Sequence, residues 1–200
     1  MGQGIIAHMS EFSELNASGL HELLARRWSP RAYSRRPVEA EKVRSLFEAV
    51  RWSASCFNEQ PWRFVVSTQA EPAEFARLLS LLVPKNQEWA GNAWVLGITT
   101  GKRTFTLNGA ANRFGLHDGG MALTSLMLQA TACGLQAHAM GGFDAERARL
   151  ELGIPDDFEI GAAFAAGYAE GPSDPPTGRS RKATEEIIFQ GSWGNPVQVR

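Results

Sequence analysis

Apolar residues along this chain fall into two patterns, a helical three-to-four spacing and short continuous runs, separated by polar breaks rich in Gly and Pro. Leu20, Leu23 and Leu24 precede Arg26 and Arg27 at helical spacing, so a short first helix is expected, closed by cations at its negative end. Pro37, Glu39 and Glu41 open a second helix whose Val43, Leu46, Phe47 and Val50 follow the i, i+3, i+4, i+7 rule. Phe75, Leu78, Leu79 and Leu82 place a stripe on residues 71–82, which Pro84 ends. Residues 84–92, PKNQEWAGN, then read as a polar connection with an exposed Trp89. Residues 119–133 are apolar nearly all round and rich in small side chains, the mark of a helix buried in a core or a subunit interface. A short helix over 145–152 precedes Gly153 and Pro155. Strands are expected at 62–67, 93–100, 135–140 and 159–168, where β-branched, aromatic or small residues run together.

These elements predict an α+β fold, a small mixed central sheet covered by helices. Residues 17–170 read as one domain, which at this size buries roughly 70% of its unfolded surface and needs no staples. Residues 1–16 read as a leader, vector-like over 1–9, and 171–178 as a Pro-rich linker. The linker opens a tail over 171–200 that carries Ile187, Ile188 and Phe189, a patch too small to bury itself. It either docks on a partner or stays solvated.

Composition narrows the partners. A net charge of -1 gives no global field for nucleic acid or anionic lipid, and no apolar run approaches the ~20 residues of a membrane span. Cys56 and Cys133 make one possible pair, and no signal peptide is evident, so reduced thiols in a cytoplasmic protein are expected.

The densest chemistry lies in residues 53–64, SASCFNEQPWRF, a polar loop feeding a strand. Ser55, Cys56, Asn58 and Gln60 offer a hydroxyl, a thiol and two amides, a set suited to reading the edge of a flat heterocycle. Cys56 fits a weak polar contact, a packed thiol or a nucleophile, although no neighbouring His is evident as a base. Trp62 fits either a stacking role or the core. Upstream, residues 26–36 hold five arginines and no acid. They fit a solvated basic loop, a nucleic-acid arm, or a phosphate cradle in which Arg27 and Arg31 flank Ser29; neutral overall charge disfavours the arm. Gly141 and Gly142 follow a strand, where they would let backbone approach a ligand or simply make a turn. Arg103, Phe105 and Arg113 fit either substrate contact or a solvated helix face. His117, Asp118 and His138 lack the spacing of a metal site.

Ser55-Cys56-Phe57-Asn58-Glu59-Gln60-Pro61-Trp62 resembles the small-Ser-x-x-Asn-x-Gln-Pro-Trp motif of the FMN-dependent nitroreductase family, with Cys56 where a serine is usual. Arg27-Trp28-Ser29-Pro30-Arg31-Ala32-Tyr33 is similar to its Arg-x-Ser-x-Arg/Lys-x-aromatic motif. Met140-Gly141-Gly142-Phe143-Asp144 and Arg179-Ser180-Arg181 follow in the family's order. The resemblance implies a homodimer with FMN at its interface, passing two electrons from NAD(P)H to a small organic acceptor such as a nitroaromatic or quinone. It implies FMN contacts at Arg27, Trp28, Ser29, Arg31, Ser55, Cys56, Asn58, Gln60, Met140, Gly141, Gly142, Arg179 and Arg181. It implies no catalytic side chain, because the cofactor carries the chemistry, and it implies a tail that crosses to the partner subunit. Gly141 stands where some relatives carry Glu, and the stretch over 101–114 is short for the family's substrate-facing excursion, implying an open pocket. No dinucleotide fingerprint is present, which suits a nicotinamide that visits the flavin briefly. Two alternatives remain within reach of the same motifs: a branch of the family that consumes its flavin, and a flavin binder without activity.

Overall fold

A computed structural model describes residues 19–171, 175 and 179–198, and the expected leader and most of the Pro-rich linker lie outside the described residues. Residues 19–175 make one compact unit, and the described tail belongs to another. The core unit runs α1 (Glu22–Arg26), α2 (Ala40–Arg51), β1 (Trp62–Thr68), α3 (Pro72–Ser80), α4 (Pro84–Ala90), β2 (Val95–Lys102), α5 (Gly115–Ala132), β3 (Gln136–Met140), α6 (Ala145–Leu152) and β4 (Phe158–Gly167). Among the described residues no helix is long and apolar enough to cross a membrane.

The sheet order is β1-β2-β4-β3, and its three pairings are all antiparallel. The expected mixed sheet is therefore corrected to an antiparallel one. Periodicity marks where strands lie and not which way neighbours run. Helices cover both faces, so strand side chains of alternating parity enter two cores. Leu96, Ile98, Ala163 and Ala165 join Phe75, Leu78 and Ala148 on one side. Val95, Phe164 and Ala166 join Leu46, Leu123 and Leu126 on the other. Trp62 lies in this second core, which decides between its two readings. Double coverage explains why β2 is apolar without alternation despite its antiparallel neighbours.

Three local expectations need correction. Residues 84–90 are a helix, because Pro84 both stops the preceding segment and supplies the fixed φ of a first helical position. Its Trp89 is half-buried, stacked on His138 with ring centroids 4.6 Å apart. In the stretch 101–114, Gly101 and Lys102 end β2 and the rest is not a helix face but an irregular loop closed by a Thr104–Ala111 bridge, in which Arg103 pairs with Glu159 at 3.8 Å. Helix α5 also starts four residues early, at Gly115, where Asn112 Oδ1 accepts the Phe114 N–H at 3.0 Å.

In the C-terminal unit, α7 (Thr184–Ile187) leads into a turn closed by Val197 N–H to Ile188 O at 3.1 Å and Gln190 N–H to Asn195 O at 2.8 Å. Ile187 and Ile188 are exposed, and Phe189 packs on Trp193 with centroids 5.1 Å apart.

Candidate functional site

The basic segment is laid along the outer edge of β3 by contacts far apart in sequence. Gln136 Oε1 accepts the Trp28 N–H at 3.2 Å, and its Nε2 donates to Arg26 O at 3.4 Å. His138 Nδ1 donates to Pro30 O at 2.8 Å, and the buried Tyr33 hydroxyl donates to Ala165 O at 3.2 Å. Gln136 and His138 are two residues apart on one strand, so they share a face and grip successive parts of the segment. Arg27, Ser29 and Arg31 are gathered there, with Arg27 Nη1 donating to Ser29 Oγ at 3.4 Å. Arg31 forms no ion pair with a described residue. Burial holds the His138 pKa below its ordinary value, and the charges of Arg31 and Arg27 add to this against the Pro30 hydrogen bond. The imidazole is thus a neutral donor beside two cations. Trp28 Nε1 is enclosed yet has no hydrogen-bond partner among the described residues.

Met140 ends β3 on the same edge, so Gly141 and Gly142 stand within a few residues of His138. Gly142 O accepts from Val83 N–H and Asn86 Nδ2, each at 3.0 Å. A Cβ on Gly142 would sit 2.6 Å from Asn86 Nδ2, whereas one on Gly141 would meet nothing. The N–H groups of both glycines make no hydrogen bond to a described residue. Two adjacent donors are thus left without a partner among the described residues.

The loop before β1 is strained. Phe57, Asn58 and Gln60 hold φ of 54°, 54° and 49°, the left-handed region, which costs non-glycine residues about 1–3 kcal/mol each. Surrounding bonds impose it. Asp118 Oδ2 accepts the Cys56 N–H at 3.0 Å, Ser55 Oγ accepts the Gln60 N–H at 3.0 Å, and Glu59 Oε1 accepts the Thr106 N–H at 2.9 Å. The Thr106 bonds hold the Glu59 carboxyl below its ordinary pKa. Gln60 Nε2 donates to Asn58 O at 3.1 Å and to Asn58 Oδ1 at 3.2 Å. That leaves Asn58 Nδ2 and Gln60 Oε1, a donor beside an acceptor, without partners in the described residues. Among the described residues the Cys56 thiol makes no hydrogen bond. Among the described residues, no group of three or more His, Cys, Asp or Glu could hold a metal ion.

Asp118 is the residue that sequence reasoning missed as a support. Only 2% exposed, it also accepts from His117 Nδ1 at 2.9 Å. An acid in the first turn of an otherwise apolar helix was its signal. Asp118→Ala is expected to lower the unfolding free energy by about 1.5–3 kcal/mol, with a smaller loss for Asp118→Asn, which keeps an acceptor; urea unfolding measures both.

One chain does not unite these groups. Helix α5 has 18 residues and is about 27 Å long. Asp118 in its first turn holds the Ser55–Gln60 loop, and Thr131 in its last turn donates to Gln136 Oε1 at 3.3 Å, beside the basic segment. Arg27, Trp28, Ser29 and Arg31 therefore lie beside Gln136 and His138, with Met140, Gly141 and Gly142 following along the same strand, and the loop of Ser55, Cys56, Asn58 and Gln60 meets Asp118 roughly 20 Å along the helix from Thr131. Arg179 and Arg181 belong to the C-terminal unit, where Arg181 Nη1 donates to Ser180 O at 2.8 Å.

Comparison with known proteins agrees with this fold. A solved oxidoreductase containing FMN is 30% identical, with a TM-score of 0.80 over 88% of this chain and 93% of its own. A nitroreductase family protein from Clostridium difficile 630 is 25% identical, with a TM-score of 0.70 over 86% of this chain and 97% of its own. A relative from Xanthomonas oryzae pv. oryzae, provisionally named an NADH dehydrogenase/NAD(P)H nitroreductase, is 27% identical over 65% of this chain and 74% of its own. An uncharacterized 15.4 kDa protein of Mycolicibacterium smegmatis is 38% identical over 42% of this chain, a match that spans 63% of that relative's length. The nitroreductase family model matches residues 24–168, from the last turn of α1 to the end of β4, and the chain belongs to the nitroreductase family.

Proposed function

We propose that this protein is an FMN-dependent oxidoreductase that works as a homodimer, taking two electrons from NAD(P)H and passing them to a small organic acceptor such as a nitroaromatic or quinone. The observation that carries the reading is the separation of complementary groups. A basic segment is held by β3, two backbone donors without a partner among the described residues follow that strand, and a ring-reading amide pair is held at the far end of α5. A ligand with a phosphate at one end and a flat heterocycle at the other uses both only if two copies meet. The outward face of α5 suits such a meeting, since Leu116, Gly120 and Thr124 are exposed and a Cβ on Gly120 would meet nothing. The FMN-containing relative at 30% identity supports the choice of cofactor.

FMN, when bound, supplies reversible two-electron redox chemistry at its ring. The protein's part is binding, orientation and electrostatics. Arg27, Ser29 and Arg31 hold the phosphate through charge-assisted bonds, with Trp28 alongside. Arg179 and Arg181 are assigned to the same phosphate by their place in the motif order alone. The Gly141 and Gly142 N–H groups, beside Met140, stabilise negative charge that builds on the ring edge they face. Ser55, Cys56, Asn58 and Gln60 of the second copy read the ring, with Asn58 Nδ2 donating and Gln60 Oε1 accepting. No side chain is assigned as acid, base or nucleophile.

The test is the anaerobic visible spectrum of the purified protein supplemented with FMN, before and after NADH or NADPH. A bound flavin band that bleaches is expected. A band that persists with both nicotinamides moves the protein to the inactive flavin binders, a product derived from the ring places it in the flavin-consuming branch, and no binding overturns the proposal.

A further inference from the structure

We propose that His138 is a positioning residue for the anion-binding segment, and that through its bond to Pro30 it sets the preference for a flavin that carries a phosphate over one that lacks it. The inference rests on the reading of Arg27, Ser29 and Arg31 as the phosphate cradle.

Two guanidinium groups and a hydroxyl converge on one phosphate only if the backbone between them is held, because each arginine stem otherwise keeps its rotamer freedom. The peptide at the middle of the cradle belongs to Pro30, which is fully buried and has no N–H. Its carbonyl is the one polar handle between Ser29 and Arg31, and His138 Nδ1 takes it at 2.8 Å. Because a carbonyl only accepts, the proton lies on Nδ1 and the tautomer is set. The ring cannot swing away. It stacks on Trp89 at 4.6 Å with 24° between planes, and Trp89 stacks on Tyr33 at 6.2 Å with 25° between planes. Tyr33 belongs to the basic segment itself and is anchored through its hydroxyl to Ala165 O. His138, Trp89 and Tyr33 thus close a ring of contacts around Pro30 and Arg31. Gly142 O has its own anchors in Asn86 Nδ2 and Val83 N–H, each at 3.0 Å, which do not pass through the His138–Pro30 bond. Nothing in this clasp touches the ring-reading loop, which lies at the far end of α5. Loosening it should therefore be felt at the phosphate and not at the ring.

Dissociation constants for FMN and for riboflavin, from flavin fluorescence on the full-length protein, separate the possibilities. His138→Ala is expected to weaken FMN about tenfold and leave riboflavin unchanged. His138→Phe, which keeps the stack but not the donor, should match it. His138→Asn, which returns an N–H near the Nδ1 position, should restore most of the loss. Equal losses for both flavins would make His138 merely structural and overturn the inference. So would an unchanged FMN-to-riboflavin ratio in every His138 variant while Arg27→Ala lowers it. If Arg27→Ala also leaves the ratio unchanged, the phosphate cradle itself fails, and the inference goes with it.

Discussion

Arg27→Ala is expected to weaken FMN binding by about ten- to a hundredfold while leaving the unfolding midpoint in place. Its guanidinium stands beside Ser29 on a segment already clasped by Gln136, His138 and Tyr33, so truncation removes a ligand contact without undoing the backbone. Hydrogen bonds to a charged group contribute roughly 1.5–3 kcal/mol each, and a phosphate dianion engages a planar fork more fully than a point charge. Arg27→Lys should therefore recover only part of the loss. Because the contact is electrostatic and partly exposed, the gap between wild type and variant should narrow as salt is raised. A titration of apoprotein with FMN at low and high ionic strength tests all three statements, and an unchanged affinity at low salt removes the cradle assignment.

Gly101→Ala is expected to destabilise the protein by about 3 kcal/mol, a fall in melting temperature of roughly 5–10 °C for a chain of this size. A Cβ at this position would lie 2.5 Å from both the carbonyl carbon and the oxygen of Gly115, and 2.8 Å from the Leu116 nitrogen. All three are backbone atoms, so no side chain can rotate aside. Either β2 or the first turn of α5 must move. Asp118 sits one turn along that helix and holds the Cys56 N–H at 3.0 Å, so displacement would also release the left-handed backbone at Phe57, Asn58 and Gln60. Calorimetry reads the stability loss. A parallel weakening of FMN and riboflavin, unlike the phosphate-selective loss expected at Arg27, would show that the ring-reading loop has relaxed.

The elements were legible where local pattern and final environment agree. Helix α6 matches its expected bounds because Asp144 accepts the Arg147 N–H at its start and Gly153 takes φ 63° at its end, both local devices. Helix α4 was illegible because its seven residues carry no apolar stripe, and Trp89 finds its partners from 33 and 138. Strand direction was illegible for a related reason: a strand buried on both faces has no alternation with which to report its neighbours. In the candidate site, Asn58, Gln60, Arg27 and Ser29 were readable as chemistry from their motifs. Their supports were not, since Trp28–Gln136 and Pro30–His138 are each 108 residues apart and Cys56–Asp118 is 62 apart.

By itself, then, the sequence determined the α+β class and the family and marked the candidate site residues, because propensity, capping and motif spacing act over a few residues. The tertiary structure alone decided that the sheet is antiparallel, that the basic segment is held by Gln136 and His138 of β3, and that the amide loop stands at the opposite end of α5. Those facts depend on strand pairing and on the length of a single buried helix, and no local stretch of the chain contains either.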